Sequence, residues 1–445
     1  MSIREIIDHA PVSRFQVGVV AICLVMIMID GFDILVMAFT ASGVAREWSL
    51  NESQIGLLLS SGLVGMALGS ALIAPQADRV GRRPLTIACL TFSGIGMALA
   101  AFAAGPVWLA GARLLTGLGI GGMVASLPVL VAEYSPSRRR GTAVTLCTMG
   151  FPLGGVLGGA VSTLLANEYG WRGPFVCGAI VTGLMTVVIS LWLPESVDYL
   201  VARRPAGALG RVNSLLARMG HAPVAALPTA NERPERGARA DMVGGRNGAK
   251  TALVWLAFFV LMAAFYFATS WTPRLLEQSG LSAEQGMSGG GLLNVGGVIA
   301  TIAFGLLALR VAVRPLTAAS FGVIAVAFVT TGIALGHGPA ATLAAAAAVG
   351  LAIQAGISGM FAIVPDLYPA TVRTTAMGLA VAAGRVGGIL SPVLVGALLD
   401  RQWTPANLFV LFAVLTALAI PAVLVLKRFS GHEDEVSGTR REPVG

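Results

Sequence analysis

Twelve apolar runs of about 20 residues each constrain this chain more than any other feature. A run of that length spans the hydrocarbon core of a bilayer as an α-helix. The chain is 56% hydrophobic and only 12% charged, a composition typical of polytopic helical membrane proteins. We place the spans near 17–41, 54–77, 85–104, 107–132, 142–166, 174–193, 251–271, 287–309, 316–336, 339–364, 372–398 and 405–426.

The spans fall into two sets of six, which predicts an all-α integral membrane protein with two six-helix lobes. We assign the first lobe to 1–193 and the second to 251–430. A polar cytoplasmic linker, 194–250, separates them, and a cytoplasmic tail follows at 431–445. Within the linker, Leu209 to Met219 is amphipathic and predicts a short interfacial helix, and low-complexity sequence predicts disorder beyond it.

The distribution of Lys and Arg predicts that both termini are cytoplasmic. In that orientation the inner segments hold 24 of the 30 basic residues, and the outer loops hold four. The net charge of +8 then reflects a cytoplasmic face next to anionic membrane lipid, and no nucleic-acid partner is required. Residues 1–16 contain several charges and no cleavage site, so we expect no cleavable signal peptide.

Two loop sequences recur at nearly the same offset. The loop at 74–84 matches 305–315 when it is shifted by 231 residues, and 133–140 matches 366–373 when it is shifted by 233. This indicates parallel duplication of a six-helix unit, whose copies are related by an axis along the membrane normal. In that architecture we expect the substrate between the lobes, near the midplane.

Two aspartates, Asp30 and Asp33, lie in the middle of the first span. A carboxylate at the bilayer centre costs about 3 kcal/mol on insertion scales. Because the two are three residues apart, their side chains lie on nearly the same helix face, one turn apart. Such a pair is retained where it faces a wet cavity or protein interior and carries a proton or binds a cation.

Two arginines, Arg113 and Arg385, also lie inside spans. At 1.5 Å per residue, Asp33 is about 12 Å and Arg113 about 10 Å from the outer ends of their spans, so the two can meet. Arg385 is near the midplane in the other lobe. An arginine fork binds a carboxylate through two parallel hydrogen bonds, and a neighbouring aspartate can carry a proton. The alternative for Asp33 and Arg113 is an ion pair that only fixes helix packing.

Aromatic and amide side chains within the spans are candidates for the walls of an organic-anion site. Aromatic rings pack well against an aromatic ligand, and amides can hydrogen-bond a ring hydroxyl. The alternative is ordinary core packing and interhelical hydrogen bonding. The candidates are Phe32, Phe265, Tyr266, Gln354 and Asn294.

Charged residues at the cytoplasmic helix ends are candidates for a conformational gate. Salt bridges among them can stabilise one conformation and break in the other. The alternative is a positive-inside charge distribution without a gating role. The candidates are Asp78, Arg79, Arg82, Arg83, Glu133, Arg140, Asp366 and Arg373.

Nothing in the sequence points to a metal, a cofactor or covalent chemistry. The four cysteines lie in or beside spans without metal-ligand spacing, and the four histidines are scattered. We therefore expect no metal site, no cofactor and no enzyme active site. A sensor that does not transport would be expected to carry a large soluble output domain, for which the linker is too short and too polar.

Several motifs carry a family resemblance. The loop Asp78-Arg-Val-Gly-Arg-Arg83, its degenerate second copy and the six-plus-six layout resemble the major facilitator superfamily. Within it, the chain is similar to the aromatic acid:proton symporters in Asp30-Gly-Phe-Asp33, in the run from Ile7 to Gln16, and in Gly117 to Gly122, Leu193-Pro-Glu-Ser196 and Gly384 to Gly388. The resemblance implies a monomeric carrier of the bacterial inner membrane. It would import a small aromatic carboxylate with protons, by alternating access, for aromatic catabolism.

The chain departs from the family pattern in three places. Ala74 and Gln76 stand where Gly and Leu are usual, and Leu309 replaces an acid, which suggests altered gating contacts. Met123-Val-Ala-Ser126 replaces a Met-Pro-Asn motif, which leaves the ligand open. Two alternatives share the fold: a proton-driven exporter of drugs or metabolites, and a symporter of sugar acids or dicarboxylates. Against export, Gly154-Gly155 lacks the Gly-Pro pair common in exporters.

Overall fold

The computed structural model describes residues 3–9, 11–227, 245–368 and 373–426. Within these residues, twelve helical stretches are long and apolar enough to cross a membrane. The predicted all-α class with twelve spans is therefore confirmed. The chain divides into two compact units, and each contains six of the twelve stretches.

The first unit covers residues 1–232. Its described part contains twelve α-helices, several of which share a span. They are α1 Ile3–His9, α2 Arg14–Trp48, α3 Glu52–Leu68, α4 Ala77–Val80, α5 Arg82–Ala101, α6 Pro106–Val124, α7 Ser126–Tyr134, α8 Ser137–Thr148, α9 Gly150–Tyr169, α10 Arg172–Trp192, α11 Val197–Arg203 and α12 Ala208–Met219.

Prolines explain why three of these spans are divided. A proline has no N–H for the carbonyl four residues earlier, and its ring clashes with that carbonyl. Helix α6 ends at Val124, four residues before Pro128, and α8 ends at Thr148, four residues before Pro152. In the second span, Pro75 lies in a 3₁₀ turn between α3 and α4. Each divided stretch is still one of the twelve spans, at the positions predicted near 54–77, 107–132 and 142–166.

Glycines allow the helices of the first unit to pack backbone against backbone. A Cβ atom on Gly154 of α9 would overlap the backbone carbonyl of Met28 in α2. A Cβ on Gly117 of α6 would overlap the carbonyl of Gly62 in α3 to the same extent. Small residues permit such close approach between membrane helices. This packing encloses α2, the helix that carries Asp30.

The predicted interfacial helix corresponds to α12. Its apolar face, which includes Val212 and Leu216, is buried in a hydrophobic cluster with Ile7 of α1 and Leu200 of α11. The part of the linker at 228–244, where we predicted disorder, lies outside the described residues. Residues 245–250, also assigned to the linker, instead begin the next helix.

The second unit covers residues 233–445. Glycines again mediate close packing, because a Cβ on Gly350 of the fourth helix would overlap the backbone of Leu293 in the second. The third helix packs against the fourth and the sixth. The helices are α13 Gly245–Gln278, α14 Ala283–Ala308, α15 Val313–Ala334, α16 Pro339–Ile363, α17 Arg373–Asp400 and α18 Pro405–Val425.

One hydrogen bond recurs in both units. Gln16 near the start of α2 donates its Nε2 to the carbonyl of Tyr134, at 2.9 Å. Lys250 near the start of α13 donates its Nζ to the carbonyl of Leu367, at 2.7 Å. The two accepting residues are 233 positions apart, the offset of the second sequence repeat. This correspondence supports the predicted duplication.

Candidate functional site

The intramembrane aspartates are both buried inside the first unit. Asp30 is 2% exposed and Asp33 is 0% exposed, in the middle of the 35-residue helix α2. Gly31 between them lies against the carbonyl of Phe151 in α9. Both carboxyl groups therefore face protein and not lipid, as expected for charges retained at membrane depth.

Asp33 has partners on two neighbouring helices. The Ser93 hydroxyl of α5 donates to its Oδ2 at 2.7 Å, and the Nη2 of Arg113 on α6 donates to its backbone carbonyl. Its Oδ1 is buried and has no hydrogen-bond partner among the described residues. Buried polar atoms are rarely left unpaired in folded proteins. Asp33 thus has one satisfied carboxyl oxygen and one that is open to a proton or a ligand.

Arg113 is 3% exposed and lies between polar and aromatic groups. Its Nη1 is 3.5 Å from the sulfur of Met97, and its Cζ is 5.9 Å from the ring centroid of Phe175. Among the described residues, no carboxylate oxygen lies within 4.0 Å of its guanidinium, so its contact with Asp33 is through the backbone. A guanidinium has five donors, and most of them are left for another acceptor.

Phe32, a candidate for the substrate pocket, packs within the first unit. Its ring lies against Gly158 of α9 and Gly178 of α10, where added Cβ atoms would come within 2.6 and 2.8 Å of the ring. The ring is only partly buried. This placement is typical of helix packing.

Three candidates of the second unit, Phe265, Tyr266 and Arg385, lie on α13 and α17, two helices that pack against each other. Arg385 on α17 is half-buried, and glycines flank it in the sequence Gly384-Arg-Val-Gly-Gly388. A Cβ on Gly388 would come within 2.4 Å of the Tyr266 ring. The rings of Phe265 and Tyr266 meet edge to face, with centroids 5.0 Å apart. Arg385 therefore lies on the helix that packs against the Tyr266 ring.

The two amide candidates differ in their hydrogen bonding. Asn294 is 4% exposed, and its Nδ2 donates to the carbonyl of Gly290 in its own helix, at 2.8 Å. Gln354 is half-buried and makes no hydrogen bond to any described residue. Gln354 is therefore the amide whose donors and acceptor are both available.

The gate candidates Arg82 and Glu133 form a buried ion pair. Arg82 Nη1 is 2.6 Å from Glu133 Oε1, and Ser196 donates its hydroxyl to Glu133 Oε2, also at 2.6 Å. Arg4 of α1 donates to the backbone carbonyl of Glu133 at 3.0 Å. All four residues belong to the first unit. The network joins helices of one lobe.

Glu195 is a central residue of this network that sequence reasoning did not select. Its Oε1 accepts the backbone N–H groups of Arg82, at 2.8 Å, and of Arg83, at 3.2 Å. A carboxylate at the start of α5 satisfies N–H groups that have no partner within the helix and complements the helix dipole. The sequence feature that could have identified Glu195 is the Leu193-Pro-Glu-Ser196 motif, which was used only as evidence of similarity to a transporter family.

Other gate candidates of the first unit have different surroundings. Asp78 and Arg79 are exposed, and neither side chain forms an ion pair within 4.0 Å with another described residue. Arg83 donates its Nη2 to the carbonyl of Ser190 at 2.6 Å. Arg140 forms an ion pair with Asp8 of α1, a partner that sequence reasoning missed.

In the second unit, the equivalent helix end is formed by other residues. Arg373 is exposed, and the side chain of Asp366 lies outside the described residues. Thr251 and Tyr368 share a hydrogen bond of 3.0 Å, and Lys250 Nζ lies 4.5 Å from the Tyr368 ring centroid. Burial raises the pKa of the Tyr368 hydroxyl, although the bond with Thr251 opposes this shift, so the hydroxyl is protonated at neutral pH.

The fold and these buried charges define a class of protein. Two six-span units with charged side chains inside the spans are the architecture of a secondary transporter. The family model of the Major Facilitator Superfamily matches residues 21–336 and 295–443, and the chain belongs to this superfamily. It is a multi-pass protein of the bacterial inner membrane.

Curated relatives match over nearly the full length. A gallate transporter of Pseudomonas putida is 30% identical over 97% of this chain and 95% of its own. The 4-hydroxybenzoate transporter PcaK of Pseudomonas putida is 31% identical over 98% of this chain and 97% of its own length. These relatives are named transporters and not enzymes. The chain is thus similar to aromatic acid transporters, as the sequence motifs predicted.

A solved structure shares the fold. The xylose transporter XylE from E. coli, in a partially occluded inward-open conformation, aligns with a TM-score of 0.76 at 17% identity. The alignment covers 94% of this chain and 98% of XylE.

Proposed function

We propose that this protein imports a small aromatic carboxylate together with one or more protons, by alternating access. One observation carries the proposal: Asp33, fully buried within a membrane span, contacts Ser93 and Arg113 from two other spans. The similarity to transporters of gallate and 4-hydroxybenzoate supports the aromatic substrate.

In this proposal Asp33, with Asp30 one turn away, carries the proton. An ionised carboxylate that lacks partners is costly to bury, and proton uptake removes that cost. The Asp33 Oδ1 atom, without a hydrogen-bond partner among the described residues, is the position we assign to the proton. Release of this proton leaves a carboxylate that Ser93 and the neighbouring Arg113 stabilise.

Arg385 is our primary candidate for binding the substrate carboxylate, and Arg113 is the second. The planar guanidinium matches a carboxylate in two parallel hydrogen bonds. Phe265 and Tyr266, on the helix against which the Arg385 helix packs, offer aromatic surface to a ring. Gln354 supplies free hydrogen-bonding groups for a ring hydroxyl. Asn294 and Phe32 are weaker candidates, because Asn294 bonds within its own helix and Phe32 packs between helices.

We also propose cytoplasmic termini and a cytoplasmic gate. The excess of Lys and Arg on one face supports the orientation. The Arg82–Glu133 pair lies within one lobe, so we assign it to holding that lobe's helix ends rigid while the lobes move. Exposed charges such as Asp78 and Arg373 are free of such packing constraints and are the better candidates for contacts that change during transport.

The test uses the purified protein in liposomes that contain a pH-sensitive dye. Gallate, 4-hydroxybenzoate, benzoate, a sugar acid and an aliphatic dicarboxylate are added outside, one at a time. We expect the lumen to acidify with at least one aromatic acid and this response to disappear in Arg385→Ala. The exposed Arg401→Ala removes the same charge in the same unit and should retain the response.

Two outcomes would contradict the proposal. Acidification with the sugar acid or dicarboxylate, but not with any aromatic acid, favours the alternative symporter. Proton movement only with organic cations or neutral drugs favours the exporter and makes Arg385 a structural residue.

A further inference from the structure

A cleft of about 820 Å³ opens in the first unit, between the ends of α5 and α10 and the helices α11 and α12. Among the described residues that line it, the basic ones are Arg83, Arg211 and Arg218, and the single acid is Glu195. Glu195 Oε1 already accepts backbone N–H groups, including those of Arg82 and Arg83. The lining therefore carries an excess of positive charge, which favours an anionic ligand.

Helix α12 presents a polar stripe to this cleft. Arg211, Ser214 and Arg218 are spaced by three and four residues, so they lie on one helix face. All three are exposed, while the opposite face, with Val212 and Leu216, is buried. Among the described residues, neither Arg211 nor Arg218 forms an ion pair within 4.0 Å, although Arg218 lies 4.2 Å from the centroid of the Phe15 ring.

The other side of the cleft is apolar and lies at the edge of the membrane. Leu191 and Trp192, the last residues of α10, are 72% and 66% exposed. Val80, at the end of the second span, is 56% exposed and also lines the cleft. Exposed apolar side chains at span ends face acyl chains, and a tryptophan there is typical of the membrane interface. The cleft thus combines an acyl-facing wall with arginines at the depth of lipid headgroups.

The geometry points to a binding site for an anionic phospholipid in this cleft. Its phosphate is held by Arg211 and Arg218, with Ser214 as a further donor, and its acyl chains lie along Leu191 and Trp192. Basic clefts between helices near the membrane surface recognise anionic headgroups in this way. The lipid bridges α10 to α12, and so it stabilises the docking of the interfacial helices on the first lobe.

Native mass spectrometry of the purified full-length protein tests the site. The probes are phosphatidylglycerol and phosphatidylethanolamine with identical acyl chains. We expect one phosphatidylglycerol to be retained preferentially, and Arg211→Gln with Arg218→Gln to weaken its binding about thirtyfold, near five-fold for each arginine. Arg138→Gln with Arg139→Gln removes two exposed charges outside the cleft and should leave binding unchanged.

A second measurement uses the unmodified protein, so it does not depend on how the variants fold. Hydrogen exchange of the backbone amides at 208–219 should slow with phosphatidylglycerol and not with phosphatidylethanolamine. Equal binding of the two lipids, equal losses in the two double variants, or equal protection by both lipids would overturn the proposal. Displacement of phosphatidylglycerol by millimolar glycerol phosphate would also overturn it, since the site would then recognise a soluble phosphate.

Discussion

The coupling energy between Arg82 and Glu133, which form a buried ion pair, should exceed that of an exposed pair with the same N–O distance. The exposed comparison is Arg172 with Glu47, and the N–O distance is 2.6 Å in both pairs. The side chains of Arg82 and Glu133 are 16% and 3% exposed, whereas those of Arg172 and Glu47 are 38% and 39% exposed. The two pairs differ in burial and also in geometry. Arg172 donates two hydrogen bonds to Glu47, of 2.6 and 2.7 Å, whereas Arg82 Nη1 and Glu133 Oε1 are close but do not meet hydrogen-bond geometry. Because the geometry favours the exposed pair, a larger coupling energy in the buried pair would be due to its burial.

The expected size of the two coupling energies follows from the difference in burial. Removing one partner of a buried pair costs about 3–5 kcal/mol, because the remaining charge is left without compensation. Since Arg82 keeps some contact with solvent, we reduce the expected coupling energy to about 2–3 kcal/mol. Exposed pairs contribute about 0.2–1 kcal/mol, which is the value expected for Arg172 and Glu47.

Double-mutant cycles measure both coupling energies. Each residue is changed to Gln singly and in its pair, and unfolding is followed by circular dichroism in mixed micelles with increasing sodium dodecyl sulfate. The cycle removes effects that involve only one partner, such as the hydrogen bond from Ser196 to Glu133. Coupling energies that are equal, or larger for the exposed pair, would refute the argument from burial.

Two further predictions concern packing and polar contacts in the first unit. Gly154→Val should destabilise the protein by about 1–3 kcal/mol or more, because its side chain would overlap a neighbouring backbone, whereas Gly183→Val, with open space, should be tolerated. Ser93→Ala should cost about 1–3 kcal/mol, because Asp33 loses a buried hydrogen bond. Ser162→Ala should be neutral or stabilising, because the buried Ser162 hydroxyl has no partner among the described residues. The same unfolding assay measures all four variants, and a reversed order within either matched pair would contradict the reasoning.

The number and positions of the spans could be predicted because bilayer thickness imposes one length and one polarity on every span. Hydropathy could not predict the helix breaks within the spans, because a proline interrupts the backbone hydrogen bonds but hardly lowers the mean hydropathy of a span. Pro128 and Pro152 do carry the signal, because each removes the hydrogen bond to the residue four positions earlier. Proline position alone would not have sufficed, because Pro273, Pro392 and Pro421 lie inside helices that continue without a break.

The candidate site could be predicted only in part. Depth along the helices placed Asp33 and Arg113 at similar levels, and the structure brings them into contact. Depth could not show that Arg113 reaches the backbone of Asp33 and not its carboxylate. Ser93 was missed because a hydroxyl in a span usually bonds to its own helix, as Thr91 does.

The charged network around Glu133 shows a second limit of sequence reasoning. Its partners Arg4, Arg82 and Ser196 are spread from the N-terminus to the end of the sixth span. Charge type and a helix-end location identified Glu133 and Arg82 as candidates. Which acid contacts which base is determined by how the helices pack against each other. Helix packing could not be predicted from this one sequence, so the pairing could not be predicted either.

Concentrative uptake by Asp30→Asn and Asp33→Asn tests the central claim most directly. Each variant is reconstituted beside the unmodified protein, and uptake of radiolabelled gallate and 4-hydroxybenzoate is measured with an imposed inward proton gradient. Glu168→Gln, which changes an exposed carboxylate, is the matched control. If these aspartates carry the proton, both variants insert but do not accumulate substrate above its external concentration, and the control does. Full accumulation by both aspartate variants would contradict proton coupling through this pair.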